Sequence, residues 1–139
     1  MATTTPARAL IYCRISRDRS GAGLGVERQE TDCRALAERL GLIVVGEPYV
    51  DNDVSAYSGK PRPAYKRMCA DLADGAATVV IAWHTDRLHR SNVELESWIT
   101  MAEPLGIVVQ TVRAGELDLA TANGRMTARI VGAVARHES

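Results

Sequence analysis

The stretch "IYCRISRDRSG", Ile11–Gly21, starts as an apolar strand and then runs into arginines and serines. Strand side chains alternate, so Tyr12, Arg14 and Ser16 share one face while Ile11, Cys13 and Ile15 share the other. A cation and a hydroxyl therefore leave the sheet side by side, where a buried strand meets a loop. Outward from this point, four segments are β-rich: Arg8–Ile15, Leu42–Val50, Thr78–Trp83 and Ile107–Val112. The sequence between them is helix-periodic. Val26, Glu30, Cys33, Leu36, Ala37 and Leu40 keep near-helical spacing with only Glu30 polar, and Gly41 is the expected stop. Tyr65, Met68, Cys69 and Leu72 fall at i, i+3, i+4 and i+7, with Pro63 near the start and Gly75 beyond the end. Leu95, Trp98, Ile99 and Ala102 repeat the spacing, and Pro104-Leu105-Gly106 closes it. Strands alternating with helices imply parallel βαβ units, hence an α/β fold with a mostly parallel sheet.

"AGELDLAT" reads as a short edge strand, and "GRMTARIVGAVARHES" as a helix cut off mid-pattern. The expected organisation is one domain over residues 1–123, with residues 124–139 beginning a longer helix that leads into further domains of a parent protein. The chain has 139 residues, enough for one domain with a real core. Hydrophobic residues make up 46% and charged residues 24%, which argues against disorder. No apolar run approaches a bilayer span, and "MATTTPAR" lacks the regions of a signal peptide, so a cytoplasmic location is expected. Cys13, Cys33 and Cys69 lie far apart without a CxxC pair, as suits reduced packing thiols. A formal net charge of zero argues that this domain alone is not a strong nonspecific nucleic-acid binder.

Open α/β sheets place their sites at the carboxyl ends of the strands. Those ends offer Arg14 and Ser16, then Asp51, Asp53 and Ser55, then His84, Asp86, Arg87 and Arg90. In "DRLHR", read as the first turn of a helix, Arg87 and Arg90 are i, i+3 neighbours and Asp86 and Arg90 are i, i+4. Both guanidinium groups can then point one way while the carboxylate orients one of them, which outlines a phosphate clamp. Arginine matches phosphate oxygens bidentately and keeps its charge at any working pH. Several such groups around Ser16 would stabilise its alkoxide and the extra charge of a phosphorane. Taken singly, YxRxS at a strand end is usually a solvated arginine and a turn serine, and "DRLHR" is most often an ion pair at a helix start; together, at neighbouring strand ends, they point to phosphoryl transfer.

Other constellations are weaker. His84, His89 and His137 lack metal-ligand spacing, "GAGLG" at residues 21–25 lacks a Walker pattern, and no GxSxG elbow is present. Asp51 and Asp53 read as turn formers before they read as a metal pair or phospho-acceptor.

The runs "YCRIS", "ERQETDCRALAERLG", "YVDNDVSAYSGKPRP", "VVIAWHTDRLHRS" and "LDLATANGRMTARIVGAVARHES" together resemble the catalytic domain of the serine site-specific recombinases, the resolvase and invertase superfamily. The likeness is greatest to the large serine integrases of phages and mobile elements. It implies a resolvase-like domain, with helices on both faces of the sheet and a long C-terminal interface helix. It implies Ser16 as nucleophile, Arg14 as its activator, Ser55 at the scissile phosphate, Arg62 as a further catalytic arginine, and Asp86, Arg87 and Arg90 as a DR..R motif. Tyr12 and Gln29 match supporting positions; Arg125, Arg136 and Glu138 match positions near the interface or DNA, where an exposed charged helix face is the alternative. The implied reaction joins Ser16 to a DNA 5′-phosphate and frees a 3′-hydroxyl, with no cofactor, ATP or metal. The implied partners are double-stranded DNA attachment sites, reached through C-terminal domains absent here, and further copies forming a dimer and a synaptic tetramer. His89 departs within the DR..R segment and receives no role. The general base stays open between arginine-assisted ionisation and Asp86. Alternatives are a small resolvase or invertase, a serine transposase or, in another class, a nonenzymatic phosphate-binding or dimerisation module.

Overall fold

The computed structural model describes residues 6–15, 25–52, 62–84, 88, 92–113, 115–118 and 126. Its elements are β1 (Arg8–Ile15), α1 (Val26–Leu40), β2 (Ile43–Val44), β3 (Tyr49–Asn52), α2 (Pro63–Ala73), β4 (Val79–Ala82), α3 (Asn92–Leu105), β5 (Val108–Thr111) and β6 (Gly115–Asp118). The sheet runs β2-β1-β4-β5-β6, and β3 also pairs with β1. All pairings are parallel except β5 with β6. The edge strand expected in "AGELDLAT" is therefore β6, folded back on β5.

The segment expected as one strand, Leu42–Val50, is two. Ile43 and Val44 pair with Arg8 and Ala9, whereas Tyr49 and Val50 pair with Tyr12 and Cys13. Between them Gly46 takes φ 69°, a left-handed conformation that breaks the strand. Both halves lie along β1, so β-rich sequence flanks Gly46-Glu47-Pro48 on either side. Counting β2 and β3 as one position gives the strand order 2-1-3-4-5, whose switch point lies between β1 and β4.

The two faces of the sheet carry separate cores. Leu10, Tyr12, Val80, Ala82 and Val109 pack with Met68 and Leu72 of α2 and with Leu95, Trp98, Ile99 and Ala102 of α3. Ala9, Ile11, Cys13, Val79 and Ile81 pack with Cys33, Leu36 and Ala37 of α1. The alternation read from "IYCRIS" thus divides β1 between two helical layers. One register within α1 differs from expectation: the buried face is Gln29, Cys33, Leu36 and Ala37, while Leu40 is exposed and Glu30 reaches the surface to pair with Arg34.

Helix ends follow local chemistry. At Gly41, φ is 71°, Leu42 N–H bonds to Ala37 C=O at 2.8 Å and Gly41 N–H to Glu38 C=O at 3.2 Å, a Schellman closure. The same pair of bonds recurs at Gly75 and at Gly106, just before β4 and β5. Pro104 does not stop α3, which continues through Leu105 to that closure. Apart from Met126, the expected C-terminal helix, residues 124–139, lies outside the described residues. No described helix is long and apolar enough to cross a membrane.

Candidate active site

At the carboxyl end of β1 the chain presents Arg14, which is 7% exposed. Its register partner is Asp51 of β3, while the last register pair with β4 lies at Ile11. Past that point a side chain takes over the bonding. Gln29, fully buried in the first turns of α1, accepts the Arg14 N–H through Oε1 at 3.2 Å and donates through Nε2 to the Arg14 C=O at 3.0 Å. A primary amide has the donor and acceptor of a strand residue side by side, so Gln29 replaces a neighbouring strand. The backbone of Arg14 is thereby fixed just ahead of Ser16.

On the face of the sheet opposite α1, β1 supplies Tyr12 to the core shared with α2 and α3. Its hydroxyl donates to Asp51 Oδ2 at 2.8 Å. Asp51 also accepts the Ala64 N–H through Oδ1 and the Tyr65 N–H through Oδ2, both at 2.9 Å. These are amides of the first turn of α2, where Pro63 has no N–H to satisfy and Lys66 N–H already reaches Arg62 C=O. A carboxylate there satisfies orphan donors and meets the positive end of the helix dipole. Asp51 is thus a buried cap at the end of β3, and the turn-forming role expected for it is corrected.

Arg62, immediately before α2, is 4% exposed. Nη1 donates to the Leu88 C=O at 2.9 Å and to the Tyr12 hydroxyl at 3.3 Å. Nη2 lies 2.7 Å from Glu94 Oε1, at ion-pair distance though without hydrogen-bond alignment. The guanidinium carbon stands 4.0 Å from the centre of the Tyr65 ring, a cation–π distance. Burial opposes the charge on Arg62, but the Tyr12 oxygen and the Glu94 carboxylate more than offset it and raise its pKa. Burial, chiefly, pushes the Tyr12 hydroxyl well above the ordinary tyrosine range, so it stays a proton donor to Asp51.

The structure therefore gathers Tyr12, Arg14, Gln29 and Arg62 around the ends of β1 and β3. Ser16, Ser55, Asp86, Arg87, Arg90, Arg125, Arg136 and Glu138 lie outside the described residues. Leu88, inside "DRLHR", is buried and helical. Among the described residues no group of three or more His, Cys, Asp or Glu side chains converges as a metal site would require. Of two further participants, Asp51 is named at a strand end but read as a turn former, and Glu94 is not named by the sequence reading. Asp51 was legible as a carboxylate at a strand end just ahead of a Pro-led helix; Glu94 carried only the common signal of an acidic residue in a first helical turn.

A mostly parallel sheet of this order, with arginines held at its switch point, is the resolvase-like catalytic fold. The chain belongs to the resolvase family of serine recombinases: the model described as "Resolvase, N terminal domain" matches residues 9–139. It is similar to the transposon Tn2501 resolvase of Escherichia coli, with 26% identity over 133 residues, 95% of this chain and 63% of that protein. The chain thus spans less than two thirds of that curated relative. Among solved structures it resembles the N-terminal catalytic domain of TP901-1 integrase, at 25% identity and TM-score 0.69, covering 94% of this chain and 95% of that one. A resolvase family site-specific recombinase from Streptococcus pneumoniae shares the fold at TM-score 0.71 and 23% identity, over 95% and 87% of the two chains.

Proposed function

We propose that this chain is the catalytic domain of a site-specific DNA recombinase, of the phage or mobile-element serine integrase type, that cuts and rejoins DNA through a 5′-phosphoserine on Ser16. The observation that carries the reading is the clamp of Gln29 on the Arg14 backbone, which holds a buried arginine at the carboxyl end of β1, two positions before the serine. A neutral hydroxyl needs local positive charge to become a useful nucleophile, and arginine supplies it without titrating. In this reading Ser16 attacks a phosphodiester and gives up its proton with assistance from the arginines as the P–O3′ bond breaks, and the departing 3′-oxygen takes up a proton to leave as a hydroxyl. Arg87 and Arg90 bind the phosphate, Asp86 orients them, and Ser55 helps to hold the same group. The bond energy is kept in the phosphoserine, so the 3′-hydroxyl of the partner strand can reverse the step.

Double-stranded attachment sites, a dimer that pairs into a synaptic tetramer, and a C-terminal helix beginning near residue 124 belong to the same proposal, with the bacterial cytoplasm as the place of action. The zero net charge of the 139 residues fits a domain that leaves most DNA affinity to other parts of a longer protein. The test incubates the full-length protein with duplex DNA carrying its element junction, digests the DNA, and seeks a nucleotide-modified peptide by mass spectrometry. An adduct on Ser16 that disappears in Ser16→Ala is the expected result; an adduct on another residue would displace Ser16, and none, with DNA binding shown, would displace the enzyme.

A further inference from the structure

Arg62 is expected, by family resemblance, to be a further catalytic arginine, and the structure surrounds it with protein. Both of its Nη1 contacts go to protein oxygens, Nη2 faces Glu94, and the Tyr65 ring lies near the guanidinium plane. With 4% of the residue exposed, little of it remains for a substrate to touch. Its partners come from β1 (Tyr12), α2 (Tyr65), the segment between β4 and α3 (Leu88) and the first turn of α3 (Glu94). The order of the last two matters. Leu88 follows Asp86 and Arg87 directly, and Leu88 and Glu94 bracket Arg90, so one guanidinium ties down two points of the segment that bears the DR..R motif.

We propose that Glu94 is a positioning residue: its carboxylate fixes the buried Arg62 guanidinium, which holds the Leu88 carbonyl and through it the stretch of chain that carries the DR..R motif. The catalytic half of this inference rests on the function proposed above. Arg62 is then a brace between the two halves of the site and not a phosphate ligand. Glu94 is the counter-charge in that brace because the other contacts, a hydroxyl, a carbonyl and a ring, are uncharged at neutral pH. Removing it leaves a buried cation without its anion, and the guanidinium is free to move toward water or toward Asp51. Either movement releases the Leu88 carbonyl.

The experiment compares full-length wild type, Glu94→Gln and Glu94→Asp in three measurements: hydrogen exchange of peptides covering residues 85–91, melting temperature, and the rate of Ser16 adduct formation on junction DNA, normalised to folded protein. Glu94→Gln is expected to speed exchange across residues 85–91 and to slow adduct formation by about ten- to a hundredfold, as small misplacements of catalytic groups do. Affinity for the DNA should stay within about twofold, since Glu94 is paired with the buried Arg62 and an acidic side chain makes no phosphate contact to lose. Glu94→Asp, which keeps the charge, should recover most of the rate. A lower melting temperature with unchanged exchange and a wild-type rate would overturn the inference and leave a merely stabilising ion pair. Should Glu94→Gln not fold, Arg62→Lys carries the same expectations, because an ammonium cannot reach Leu88 and Glu94 together in fork geometry. Absence of an adduct in wild type would sink the recombinase reading, while the exchange data would still decide whether Glu94 holds residues 85–91.

Discussion

Replacing Gln29 by leucine keeps most of the side-chain volume and removes both hydrogen bonds that close on the Arg14 backbone. The Arg14 N–H and C=O would then lose the two bonds that Gln29 gives them, which is expected to cost about 2–4 kcal/mol in urea unfolding. The larger effect should fall on chemistry, because the Arg14 backbone loses its fixed position. Tyr12→Phe makes the useful contrast. Asp51 keeps its bonds from Ala64 and Tyr65, and Arg62 keeps the Leu88 carbonyl, so the loss is expected near 1 kcal/mol. Asp51→Ala removes all three acceptor contacts and uncaps α2, and should cost about 2–4 kcal/mol in the same measurement. A Tyr12→Phe loss equal to that of Asp51→Ala would mean that the hydroxyl, and not the helix cap, anchors the network. At this scale the sequence was only partly legible. Arg14 stood out because β alternation placed it beside Ser16, whereas Gln29 and Tyr12 were singled out only by family resemblance. The pairing of Arg62 with Glu94 joins residues far apart in the chain, and no local spacing announces it.

Elements were more readable than contacts, because each helix announces its buried face by spacing and its end by glycine. Leu95, Trp98, Ile99 and Ala102 are all buried, as their spacing requires, and the closures at Gly41, Gly75 and Gly106 fall where the patterns stop. Gly41→Ala isolates the backbone contribution. A Cβ there meets nothing within 4 Å, so the penalty comes only from the left-handed φ and is expected to be about 1 kcal/mol by thermal or urea unfolding. A loss several times larger would indicate a steric clash that the structure does not contain. The readings that failed did so where two physical states share one pattern. Leu42–Val50 is β-rich on both sides of Gly46-Glu47-Pro48 because both halves run along β1. In α1, Glu30 and Gln29 are adjacent polar residues, and spacing alone favoured the wrong one; the amide is buried because it can satisfy both an N–H and a C=O, which a carboxylate cannot.

Across the whole molecule, the two cores on either side of β1 hold ionisable groups in their neutral forms. Burial, above all, pushes the Cys13 thiol up to about 12 and that of Cys69 to about 11 from an ordinary 9.0, and raises Cys33 as well. Burial likewise raises Tyr12 and Tyr65. In the unfolded chain the thiols lose their protons first, so above the ordinary thiol value the folded state binds more protons and stability must fall as pH rises. The contribution is fully present below about pH 9 and is lost as pH climbs through the folded values of about 11 and about 12. Melting temperature should therefore show no thiol-dependent slope from about pH 6 to about 8 and should decline steadily from about pH 9. Cys13→Ala should lower the melting temperature at neutral pH by leaving a cavity, yet flatten the alkaline decline; an unchanged slope would remove this thiol as a source. The proposed chemistry responds differently, because arginines keep their charge throughout this range. Adduct formation on Ser16, normalised to folded protein, should thus persist until the fold itself is lost, and an activity that collapses near pH 9 while the protein remains folded would instead place a titrating group beside the serine.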